Sequence, residues 1–192
     1  MASIADKPIV RFTVEQWQQY LDEHAATDVV GVRLTLRKKN STADGMTWSE
    51  ALDVALCHGW IDGQSARLDD DYLLTAFQPR RSASPWSQVN REHVARLIAE
   101  GRMLPRGLAE VERARADGRW DAAYRQKGAV APPDLEEALA ANADALAFWQ
   151  TLTKTERFRV YFRLAAIKTP AVRAARIRDV VEKAARGERH YR

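Results

Sequence analysis

The 192 residues carry 30 Lys and Arg against 26 Asp and Glu, a net charge of +4, with 46% apolar residues and one cysteine. That length can bury a sizeable core, and the balance of apolar and charged residues argues against disordered and collagen-like chains. No run nears the roughly 18 apolar residues of a membrane span, Met1 to Pro8 lacks the layout of a secretion signal, and the lone Cys57 can form no internal disulfide, so a cytoplasmic location is expected.

The first element announced by the sequence is a helix. Thr13-Val14-Glu15-Gln16 has the form of a capping box, and Val14, Trp17 and Leu21 follow at helical spacing to about His24. Val30, Val32, Leu34 and Leu36 then alternate with polar or small residues, as in a strand with one buried face. A second capping box, Thr47-Trp48-Ser49-Glu50, predicts a helix that stops near Gly59. Strands over about 60–68 and 72–78, flanking Asp69-Asp70-Asp71, read as a hairpin.

Beyond residue 80 the pattern is helical. Ser84-Pro85 predicts a helix start, with Trp86, Val89, His93, Leu97 and Ile98 as its apolar face, and His93 reads as a boundary residue. A further helix spans roughly 105–117. Gly128 and Pro132-Pro133 break regular structure, and helices follow over 134–141, 143–152, from the box Thr153-Lys154-Thr155-Glu156, and from Thr169-Pro170 to Gly187. The expected fold is α+β: a small antiparallel or mixed sheet with helices over residues 1–124, a linker at 125–133, and an all-α segment over 134–192.

Charge divides unevenly along this plan. Residues 154–192 hold 12 basic and four acidic residues, a charge of +8, and the remainder of the chain is −4. Solvated arginine-rich helix faces would give this count, and so would a surface for nucleic acid or another anionic partner.

The densest chemistry lies in Cys57-His58-Gly59-Trp60-Ile61-Asp62-Gly63-Gln64. Asp62 and His58 could exchange protons there and are the catalytic candidates, while Trp60 could stack a planar group. The same residues also serve as a helix cap, a core anchor and a turn. Arg80 and Arg81, followed by Trp86, could form an anion site or pair with Asp69–Asp71 across the hairpin. Together Trp60, Asp62, Arg80, Arg81 and Trp86 are the expected ligand-binding residues, for a small anionic or peptide-like ligand. Nucleotide-binding loops and metalloprotease or serine-hydrolase motifs are absent from the sequence. His24, His58, His93 and His190 have no paired ligand spacing, so neither a metal nor a cofactor is expected. Three functions remain open: ligand binding, binding of nucleic acid or an anionic surface through residues 154–192, and hydrolase or transferase chemistry on Asp62.

The run Trp48 to Gln64, then Gln78-Pro79-Arg80-Arg81, Trp86-Ser87-Gln88-Val89-Asn90, the stretch Arg96 to Met103, and Ala116 to Tyr124 resemble the bacterial YdeI/OmpD-associated family. The ending from Ala165 to Gly187, with Arg173, Arg176 and Ile177, is similar to that family's bacteriocin-protection segment. The resemblance implies a role in resistance to bacteriocins, other antimicrobial peptides or stress, and brings no reaction or cofactor with it.

Overall fold

Each of the three capping boxes closes on itself. Thr13, Thr47 and Thr153 accept the backbone N–H three residues on, and Gln16, Glu50 and Glu156 reach back to the cap N–H at 2.8–2.9 Å. Such reciprocal bonds satisfy donors that a helix start otherwise leaves open, which is why local sequence places these starts correctly. The computed structural model describes residues 6–27 and 30–189. Met1 to Ala5, His190 and Arg192, used in the leader, metal and charge readings above, lie outside them. The chain divides into two units, residues 1–123 and 124–192.

The first unit runs β1 (Ile9–Val10), α1 (Val14–His24), β2 (Val32–Arg37), α2 (Trp48–Cys57), β3 (Trp60–Arg67), β4 (Tyr72–Pro79), α3 (Gln88–Ala99) and α4 (Pro105–Ala116). The four strands form a mixed sheet in the order β1-β2-β4-β3, with β1 parallel to β2 and the other pairs antiparallel. β1 is absent from the sequence reading because two residues carry no periodicity. β3 and β4 form the expected hairpin, whose turn is held by the Asp69 carboxylate accepting from the N–H groups of Asp71 and Tyr72. Register sets Asp62 opposite Phe77, with an irregularity before Ser65.

The alternation read in β2 is real: Val32, Leu34 and Leu36 are buried against Trp17 and Leu21 of α1 and Ala51, Val54 and Ala55 of α2, with Trp60 and Phe77 in the same cluster. The other side of α2, through Leu52, Leu56 and Cys57, packs on Trp86, Val94, Leu97, Val111 and Trp120. Every residue from Ala51 to Cys57 is buried. A helix buried on both sides belongs between two layers, and the stretch Ala51 to Cys57 of α2 occupies that place. α4 crosses its end so closely that a Cβ on Gly107 would stand 2.5 Å from the carbonyl oxygens of Leu56 and Cys57.

The start of α3 corrects the sequence reading. Its N-cap is Ser87, which accepts from the Asn90 N–H at 3.1 Å, whereas the Ser84 hydroxyl accepts from the Arg81 N–H in the preceding turn. Trp86 therefore precedes the helix and cannot mark its face. Asn90, Val94 and Leu97 face inward, at a spacing of four and then three residues, and Val89 and Ile98 are exposed.

The second unit contains α5 (Pro133–Ala140), α6 (Ala143–Thr151), α7 (Lys154–Ala165) and α8 (Pro170–Ala185), packed on Leu135, Leu139, Trp149, Val160, Leu164, Ile177 and Val180. With a sheet and helices in one unit and helices in the other, the described residues form an α+β protein. Arg173 links three helices, pairing with Asp134 at 2.6 Å and donating to the Leu164 carbonyl at 2.6 Å. Four basic side chains of residues 154–192 are paired within the unit: Arg176 and Lys183 with Asp179, Arg186 with Glu188 and Arg189 with Glu156. No helix among the described residues is long and apolar enough to cross a membrane.

Candidate functional site

Asp53 is the one charged side chain among the buried residues of α2. A carboxylate in that position needs partners, because an unpaired buried charge costs several kcal/mol. α3 supplies them on successive turns. His93 Nδ1 lies 2.7 Å from Asp53 Oδ1, and Arg96 Nη2 reaches both carboxylate oxygens at 2.6 Å. With Nδ1–H donating to Asp53, the second ring nitrogen, Nε2, is left for another partner. Nε2 has no hydrogen-bond partner among the described residues.

Trp48, the first residue of α2, joins this pair to a second carboxyl. Its ring meets His93 edge to face at 6.0 Å between centroids, and its Nε1–H donates to Asp62 Oδ2 at 3.0 Å. Asp62 is half-buried, and that burial raises its pKa above the usual carboxyl range. The Trp48 bond, its own backbone N–H and the charges of Arg80 and His93 partly oppose the rise. Glu110 of α4 is likewise pushed up by burial, with Arg113, Arg80 and Arg119 opposing. Arg80 thus places a positive charge near two carboxyls whose ionised forms burial disfavours.

The predicted ligand-binding residues are distributed differently from the expectation. Trp60 is core: it is 1% exposed, packs edge to face on Trp17, and lies in the cluster under α1. Arg80 and Trp86 do meet, the guanidinium standing 3.6 Å over the indole, and both are buried. Arg81 is exposed at the strand end. Arg67, at the hairpin itself, takes Asp70 as its ion-pair partner. The expected proton exchange between His58 and Asp62 is not made. His58 turns toward α1, with Nδ1 2.9 Å from the Val54 carbonyl and Nε2 2.9 Å from Asp22 Oδ1, while Asp62 turns toward Trp48.

Sequence reasoning therefore missed Trp48, Asp53 and Arg96 and set His93 aside. One signal was present: Asp53 is the single charge in the apolar run Ala51 to Cys57. An aspartate there requires a basic partner from elsewhere, and His93 with Arg96 forms an i, i+3 pair on a helix. Cys57 is a buried free thiol whose pKa burial pushes up, an inert packing residue rather than a nucleophile. Among the described residues no three His, Cys, Asp or Glu side chains are grouped to hold a metal ion.

Residues 129–187 match the family described as bacteriocin-protection, YdeI or OmpD-associated. This part of the chain belongs to the YdeI/OmpD-associated family. Its YdeI/OmpD-associated match lies within the helical unit, and residues 10–110 match a second family, a domain of unknown function named DUF8412. Trp48, Asp53, Asp62, His93 and Arg96 all fall in that second match, so the geometry of the site carries the functional argument. No curated protein and no solved structure matches the chain.

Proposed function

We propose that the first unit is a binding module for a small anionic or peptide-like molecule, with Asp62 and His93 as its polar centre. One observation carries this reading: Asp53 holds His93 by Nδ1 and leaves Nε2 clear, while the half-buried Asp62 carboxyl meets the same Trp48. The Asp62 carboxyl, whose pKa burial raises, and the His93 imidazole can between them donate and accept hydrogen bonds. That is the complement of an amide or a carboxylic acid, and the charge on Arg80 favours an anion.

The description of the family matched by residues 129–187 names bacteriocin protection, which supports reading the binding module as serving that role in a bacterial cytoplasm. The buried free Cys57 fits a reducing compartment. Residues 125–133 would join the two functions. A hydrolase or transferase using Asp62 has less support, because no hydroxyl or thiol bonds to His93 among the described residues. Nucleic-acid binding through residues 154–192 also has less support, since five of its basic side chains are held in ion pairs.

The test is an NMR titration of the labelled full chain with acetate, inorganic phosphate and glycylglycine, following the Trp48 indole N–H. A saturable shift from one probe, weakened at least ~10-fold (about 1.4 kcal/mol) by Asp62→Asn and by His93→Gln, is expected. No movement with any probe, or unchanged affinity in both variants, overturns the reading.

A further inference from the structure

The structure holds a second polar constellation on the other flank of α3, away from Asp62 and His93. A groove of about 530 Å³ is lined by Gln88, Arg91, Glu92 and Ala95 of α3, by Arg115 in the last turn of α4, and by Trp120. That volume is within the range of small-molecule clefts. Its back wall is a single indole. Trp120 is nearly buried, meeting Trp86 edge to face at 4.8 Å, and it carries two guanidinium groups, Arg91 at 5.0 Å and Arg115 at 5.3 Å from the ring.

The two arginines are unlike their neighbours. Arg96, Arg102, Arg113 and Arg119 each hold a carboxylate. Arg91 and Arg115 hold none among the described residues: Arg91 donates Nη1 to the Trp120 carbonyl at 2.9 Å, and both are otherwise positioned by the ring. A guanidinium seated on an aromatic ring has its face occupied while its N–H donors remain directed outward in the plane. Those donors match the paired oxygens of a carboxylate or phosphate, and the indole limits the motion that binding would otherwise have to arrest. Glu92 lines the same groove and limits how much negative charge it accepts, which favours one oxyanion group over a polyanion.

We infer that the Arg91–Trp120–Arg115 groove is a binding site for a small molecule carrying one carboxylate or phosphate group. The site is independent of the Asp62 and His93 centre, so either can fail without the other.

The experiment titrates the full-length protein with inorganic phosphate and, separately, with acetate at constant ionic strength, chloride being the reference. The Trp120 indole N–H and the arginine Nε–H signals are followed by NMR. A saturable shift absent with chloride is expected, weakened at least ~10-fold by Arg115→Gln and only partly by Arg115→Lys, which keeps charge but not the planar fork. Arg115 is exposed, so both variants should fold, and unchanged circular dichroism checks this. Saturation by phosphate alone assigns a phosphorylated ligand, and saturation by acetate alone assigns a carboxylic acid. Shifts that are linear, equal in chloride, or unaltered by Arg115→Gln overturn the inference.

Discussion

His93 Nδ1 and Asp53 Oδ1 stand 2.7 Å apart although 40 residues separate them, and this contact fastens α3 to the buried charge of α2. Asp53→Ala should therefore cost about 1–3 kcal/mol, chiefly because it strands the largely buried His93 ring, whereas the exposed Arg96 keeps water and Glu100 as partners. Asp70→Ala, which removes the exposed ion pair with Arg67, should cost under ~1 kcal/mol. Urea unfolding of both variants measures the difference, and equal losses would refute the role given to Asp53.

Trp60→Ala should lower stability by about 3–5 kcal/mol, as expected for deletion of a large ring from a packed core. A ligand-pocket wall would behave differently, losing affinity while the melting temperature held. Calorimetric melting separates the two outcomes.

Gly107→Ala reverses the usual rule for helices. On an open helix surface the change gains about 1 kcal/mol, because alanine loses less backbone entropy. In α4 the added methyl meets the carbonyl oxygens ending α2, so a loss of about 1–3 kcal/mol is expected from chemical denaturation.

Asp62 gives a pH signature. Its folded pKa is raised by burial, so folding favours the protonated carboxyl. The stability this contributes is complete below the unfolded value of about 3.9 and is lost as pH rises through the folded value. Asp62→Asn keeps an oxygen for the Trp48 N–H and cannot ionise. Its stability relative to the parent should thus grow as pH rises from about 3 to about 7. Urea midpoints across that range that stay parallel would exclude the raised carboxyl.

Local chemistry was legible and distant pairing was not. The boxes at Thr13, Thr47 and Thr153 are settled within four residues, and the hairpin around Asp69 within a few more, so composition and spacing reveal them. Ser84 and Ser87 are equally good helix caps by type, and only the burial of Trp86 decides between them. Of the expected site, Asp62 remains and Arg80 contributes through its charge. The partners that define Asp62 come from Trp48 and His93, which no spacing rule connects. The Arg80 stack on Trp86 likewise follows from where β4 ends against the α3 turn.

The burial of α2 on every side has a consequence for how the first unit comes apart. The sheet with α1 and the pair α3–α4 each lean on the same ten-residue helix, so neither layer retains a complete core once it leaves. Unfolding of residues 1–123 should then be a single cooperative event, with the amide hydrogens of Ala51 to Cys57 exchanging last and only at the global unfolding free energy.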